Sequence, residues 1–161
     1  MFFWFAAAAF TIVVLVFSSP SIDYRLVALG AVLPVGEAAF GGPYVLHTLV
    51  GSVALLTIVV LATRGRRLAA RQLVGLPIGT FLHLVLDGTW ARTELFWWPF
   101  LGFDALGDGQ VPEIEHLGVS LALELVGIAL AVWIIRRFEL VVPRRREEFV
   151  RTGRLGRDLL R

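Results

Sequence analysis

The sequence predicts an all-α fold, a polytopic integral membrane helix bundle of about four to five transmembrane helices. Three observations predict it. The 161 residues are 57% hydrophobic and 17% charged, with a mean hydropathy of +0.78, an apolar share above that of an ordinary soluble domain. Four apolar runs, residues 2–17, 43–63, 72–88 and 116–135, approach the roughly 20 residues that a bilayer crossing takes. The charges between those runs are sorted by sign, with arginines in some connections and carboxylates in another.

Each element follows from its residues. The run 2–17 lacks a basic leader and is followed by "SSPS", a poor cleavage site, so it reads as a retained helix. Residues 24–40 are helix-length but carry Pro34, Gly36 and Glu37, which makes them a short broken span or a re-entrant element. The third run, 43–63, holds His47 about one turn inside its outer end. Arg64, Arg66, Arg67 and Arg71 fill the connection that follows. The run 72–88 ends in His83 and Asp87. The segment 89–115 then has one arginine, Arg92, against Glu94, Asp104, Asp108, Glu113 and Glu115. After the last run, nine arginines lie between Arg136 and Arg161.

By the positive-inside rule, 64–71 and the C-terminal tail lie in the cytoplasm and 89–115 lies outside, in a multi-pass protein of the cell membrane. Five crossings with the N-terminus outside satisfy every segment. Four would leave 24–40 as an external re-entrant piece. The chain thus divides into a transmembrane helical domain, 1–138, and a basic cytoplasmic tail, 139–161. Phe149, Val150, Leu155, Leu159 and Leu160 among the tail's arginines suit an amphipathic helix on the anionic inner leaflet, or a frayed topology-setting tail.

The chain has no cysteine, which excludes disulfides and thiolate metal sites. No interleaving of aromatic and basic residues and no base-reading motif argues for nucleic acid. The partner expected first is the lipid bilayer itself.

The stretch "FLHLVLDGTWARTELFWWPF", residues 81–100, carries the chemistry. His83 and Asp87 are four apart and share a helix face. On the expected topology all three histidines, His47, His83 and His116, fall at the outer ends of their helices, with Glu37, Glu113 and Glu115 nearby. Ionisable groups at membrane depth are expensive and usually functional. Imidazoles with carboxylates and no thiolate suit a divalent first-row metal, zinc by default and manganese or iron as alternatives. The candidate ligands are His47, His83, Asp87 and His116. Such a metal would lower the pKa of bound water to make a hydroxide nucleophile, with Glu37 or Glu113 as general base.

Plainer roles stand beside these. A single histidine at a helix end, His116 above all, can be an interfacial hydrogen-bonding residue, and His83 with Asp87 can be an orienting pair. Glu124, two turns below His116, suits a ligand, a proton relay or packing glue equally. Asp23 lies at the opposite end and outside the site. Trp90, Trp97 and Trp98 suit an interfacial aromatic belt.

At these residues the chain resembles the YdjM-like membrane-bound, metal-dependent hydrolases. The resemblance rests on a His-plus-Asp helix end leading into a Trp-Pro-Phe segment, here His83, Asp87 and "WWPF" at 97–100. It rests also on a Gly-x-Leu-Pro-Asp element followed by a histidine motif, here "GAVLPVGEAAFGGPYVLHTLVGS" with His47-Thr48. The chain departs at Val35, where the family's aspartate is expected; Glu37 is the nearest carboxylate. The arginine-glycine that often accompanies the first histidine is also missing. The resemblance covers about residues 23–135. It implies an all-α membrane fold and a metal-dependent hydrolase related in outline to zinc-dependent phospholipases C.

The expected function is a membrane-embedded metal-dependent hydrolase acting on a phosphoester or lipid head-group substrate at the outer face. The alternative is a non-catalytic integral membrane protein whose polar cluster is structural and which serves as an assembly or interaction partner. A transporter ranks third, since no inverted repeat suggests alternating access.

Overall fold

The computed structural model of the chain describes residues 1–107 and 117–160, and every regular element among them is helical. The first helix, α1, spans Phe2–Phe17 and stops at Ser18. There the backbone turns left-handed (φ 43°) and both the amide and the hydroxyl close on the Val14 carbonyl. Helix α2, Tyr24–Val32, starts where Asp23 accepts a hydrogen bond from the Arg25 amide at 3.0 Å, an N-cap that satisfies an otherwise orphaned donor. At Leu33–Phe40 the chain tightens into a 3-10 helix. Pro34, which has no N–H, sits at the change.

Helix α3, Leu49–Ala62, begins later than the apolar run suggests. His47 therefore lies not one turn inside the helix but in a 3-10 turn before it, Val45–His47. The reason is local. The Thr48 hydroxyl caps the helix by accepting from the Gly51 amide at 2.9 Å, and the amides of Tyr44 and Leu46 turn instead to the Glu37 carboxylate. Helices α4, Arg67–Leu73, and α5, Gly75–Leu86, follow as two nearly continuous pieces. A short α6, Thr93–Phe96, belongs to the connection toward α7, Leu117–Arg137, and α8 spans Pro143–Thr152.

Helices α2 and α5 run parallel at backbone contact. Gly75 sits against Asp23, Gly79 against Val27 and His83 against Ala31. A Cβ at Gly30 would lie 2.1 Å from the Leu76 carbonyl oxygen, and one at Gly79 would lie 2.1 Å from that of Val27. Small residues that let helix backbones approach are the means by which helices associate where lipid removes the hydrophobic drive. On the other side of α1, Glu124 of α7 accepts from the amides of Phe3 and Trp4, both at 3.2 Å. Of the roles open to it from sequence, Glu124 therefore performs packing: it caps the first turn of α1, whose amides have no partner within the helix.

The core is a column of Phe5, Phe10, Val13, Tyr24, Val27 and Phe138. Helix α8 docks under it rather than fraying. The Tyr24 amide donates to the Gly153 carbonyl at 2.9 Å, the Arg25 guanidinium reaches the Val150 carbonyl, and Leu155 is buried. Arg145 bridges Glu139 and Asp158, at 2.8 Å each. That guanidinium holds the Asp158 carboxyl below its ordinary range, and Asp158 in turn raises Arg145.

Among the described residues, two stretches, Arg67–Leu86 and Gly118–Arg137, are long and apolar enough to cross a membrane; α1 and α3 are shorter apolar helices. In the second stretch only 11% of the most apolar window is buried against the rest of the chain.

Candidate metal centre

Three sequence-predicted residues converge. His83 lies in the last turn of α5, Asp87 is the C-cap of the same helix, and His47 arrives from the 3-10 turn before α3. One ligand atom from each lies within 4.8 Å of the other two, and the group could hold a metal ion. The two imidazoles meet edge to face, with centroids 5.2 Å apart. Donors around a tetrahedral ion with ~2.1 Å bonds sit about 3.4 Å apart, so side-chain movements of about 1 Å close the group on an ion.

Both rings are held by their Nδ1 atoms. His47 Nδ1 lies 2.7 Å from Glu37 Oε2, and His83 Nδ1 lies 2.8 Å from the Ala31 carbonyl oxygen. An ionised carboxylate and a carbonyl can only accept, so each Nδ1 carries a proton, and Nε2 is the nitrogen that the neutral form of each ring would offer to a metal. Histidines that ligate metals are oriented in this way, through the ring nitrogen that does not face the ion. His47 Nε2 is fully buried and has no hydrogen-bond partner. Leaving such an atom unsatisfied costs about 1–3 kcal/mol.

The Ala31 carbonyl lacks one backbone competitor for a reason written into the sequence. In an α-helical pattern the Gly30 carbonyl would take the amide of Pro34. In a 3-10 pattern the Ala31 carbonyl would take that same amide. Pro34 has none to give. Those two carbonyls instead accept from side chains of α5: Gly30 from the Thr80 hydroxyl at 3.2 Å, and Ala31 from His83.

Asp87 is half-buried, whereas His47 and His83 are fully buried. The Thr89 hydroxyl donates to Asp87 Oδ2 at 2.7 Å, which leaves Oδ1 as the oxygen to offer a ligand. Phe5 of α1 packs on the His83 ring at 4.1 Å between centroids and closes the apolar side of the group. Thr89, Phe5 and the Ala31 carbonyl were not singled out in the sequence. The Asp-Gly-Thr turn at 87–89 carried a signal for Thr89; the other two depend on packing alone.

The remaining candidates divide. Glu37 is present but stands behind His47, with Oε2 accepting from Tyr44 N at 2.8 Å as well as from His47, and Oε1 accepting from Leu46 N at 2.9 Å. Glu113 and His116, together with Asp108 and Glu115, lie outside the described residues. Asp23 is at the far end of α2, paired with Arg25 at 2.7 Å. Val35 packs against the hydrophobic core. Trp90 and Trp97 are exposed, and Trp98 is half-buried.

The arrangement supplies two neutral nitrogen donors and one carboxylate oxygen, a set suited to a borderline divalent ion. Comparison with known proteins finds no matching family model, no matching curated protein and no matching solved structure.

Proposed function

We propose that the protein is a membrane-embedded, metal-dependent hydrolase acting on a phosphoester or lipid head group at the outer membrane face. The observation that carries the reading is a buried pair of imidazoles, each tied at Nδ1 to an acceptor, grouped with a carboxylate. In this reading His47, His83 and Asp87 are the ligands, and zinc is the first metal to test. A divalent ion held by these residues would supply Lewis-acid polarisation of a phosphoryl oxygen and a bound water of near-neutral pKa. Glu37 is a positioning residue, because both its oxygens are already engaged. The general base then falls to Glu113, and His116 is the candidate for a fourth ligand.

The proposed topology has five crossings with the N-terminus outside. Helix α2 with its 3-10 extension supports it. Nine residues at ~1.5 Å and eight at ~2.0 Å add to about 30 Å, the thickness of a hydrocarbon core. Helices α2 and α5 run parallel, and α1 meets α7 in the same order, Phe3 and Trp4 at Glu124 and Phe10 at Phe138, as five alternating crossings require. Exposed apolar residues along α3 and α7, such as Ile58, Leu61, Leu121 and Leu125, would face lipid.

The test is metal content. Full-length protein purified in detergent and dialysed against zinc should carry about one equivalent, the stoichiometry of a mononuclear site. His83→Ala and Asp87→Ala should strip most of it, and hydrolysis of a phosphoester substrate should vanish with the metal and return when it is restored. Wild-type protein that takes up no zinc, manganese or iron would leave the non-catalytic reading.

A further inference from the structure

At the end of the bundle opposite His47, His83 and Asp87, a cavity of about 400 Å³ opens between α4 and the segment that follows α8. Three guanidiniums line it: Arg71 from α4, and Arg154 and Arg157 from the tail. None of the three is in an ion pair with a described residue. Among the described residues Glu148 is the one carboxylate in the wall, so their lining carries a formal charge of +2 (three arginines less one glutamate). Arg154 Nε is buried and has no hydrogen-bond partner. A buried donor without an acceptor is rare in a folded protein.

We infer that this cavity binds the phosphate head group of an anionic phospholipid from the adjoining leaflet. A phosphodiester would be held by the guanidiniums of Arg71, Arg154 and Arg157 that line the cavity, since planar guanidiniums match phosphate oxygens two at a time. Basic pockets at the ends of membrane helices take lipid head groups by this chemistry. A lipid is favoured over a free phosphate by the apolar component of the site. Leu68 lines the cavity and is 71% exposed, so an apolar surface lies beside the arginines where a glycerol and acyl chain would continue. The site would also tie the tail to α4, two elements otherwise joined through the core. The inference is independent of the metal centre and stands or falls without it.

The experiment is native mass spectrometry of the full chain released from a neutral detergent, with dioctanoyl phosphatidylglycerol, dioctanoyl phosphatidylcholine and inorganic phosphate as probes. Phosphatidylglycerol should bind at least about fivefold tighter than phosphatidylcholine. Arg154→Gln should lose about fivefold in affinity, the weight of one basic residue at a membrane surface. Because Arg154→Gln could loosen the tail, Arg71→Gln provides a second variant on another element and should lose as much. Glu148→Gln should bind tighter than wild type, and Arg144→Gln, outside the cavity, should bind as wild type does. Equal binding of the two lipids, or equal losses in Arg71→Gln and Arg144→Gln, would overturn the proposal. Displacement of phosphatidylglycerol by equimolar inorganic phosphate would overturn the choice of a lipid.

Discussion

His83 donates its Nδ1 proton to the carbonyl of Ala31, 2.8 Å away and 52 positions earlier in the chain. Pro34, three residues on, has no amide to compete for that carbonyl in a 3-10 pattern. A proline in one helix thus removes a competitor for the acceptor that fixes the tautomer of a histidine in another. The close approach of α2 and α5, with glycines at Gly30 and Gly79, brings the two groups within reach.

Replacing that proline tests the relationship. Pro34→Ala restores an amide that competes for the Ala31 carbonyl, so the His83 ring should lose its fixed tautomer. Loss of an orienting partner of a ligand typically weakens metal binding by about 10- to 100-fold, and the lower end is expected here. Nitrogen-15 spectra of the imidazoles should show the change directly. Unaltered affinity and an unaltered His83 signal would break the link between the two residues.

Glu37 separates positioning from proton transfer. Glu37→Gln should lower zinc affinity about 10-fold or more by weakening the hold on His47, while the activity of zinc-saturated protein largely recovers. Glu37→Ala should also destabilise the fold, because the Tyr44 and Leu46 amides lose their acceptor at about 1–3 kcal/mol each. Activity that stays absent in fully zinc-loaded Glu37→Gln would return Glu37 to the role of general base.

Packing of α2 on α5 should fail at a single methyl group. Gly79→Ala places a Cβ 2.1 Å from the Val27 carbonyl oxygen, and overpacking of this kind costs about 1–3 kcal/mol. Gly118→Ala meets nothing within 4 Å and should be neutral or slightly stabilising. Thermal unfolding in detergent compares the two, and equal melting temperatures would contradict the close contact.

The absence of cysteine makes topology direct to measure. Single cysteines at Gly65 and Arg144 should be shielded from a membrane-impermeant thiol reagent in intact cells, and one at Asp104 should react. All three positions are exposed in the fold. Labelling at Gly65 and not at Asp104 would invert the molecule and place the His47–His83–Asp87 group on the cytoplasmic side.

Acid should release the metal. Ligating imidazoles must be neutral, so protons compete with a bound ion as pH falls. The stability contributed by a bound metal is therefore present at neutral pH and lost on acidification. A zinc content unchanged from neutral pH down to about pH 3 would argue against histidine ligation.

Helical class and the grouping of three polar residues were legible in the residues alone. The apolar runs implied helices because a continuous segment of that length satisfies its own backbone only as a helix, and His83 with Asp87 declared a shared face by spacing. His47 was correctly associated with them but misplaced by about a turn. The Thr48 cap and the pull of Glu37 on two amides outweigh apolar continuity from residue 43. Glu37 itself showed only as a nearby carboxylate, and its engagement by three donors depends on a loop conformation that periodicity does not encode.

What the sequence by itself determined is the inventory and its order: apolar segments of set length, arginines sorted from carboxylates, a Leu-Pro break, and a His and an Asp on one helix end. These are properties of neighbours along the chain. Tertiary structure alone decided which distant groups complete one another. Glu124 caps a helix 120 residues away, Ala31 orients His83, and the tail closes beneath Tyr24. The physical reason is that buried donors and acceptors must be satisfied, and which of several chemically equal partners satisfies each is settled by the approach of the backbones, at Gly30, Gly79 and Gly127, rather than by any residue's own preference.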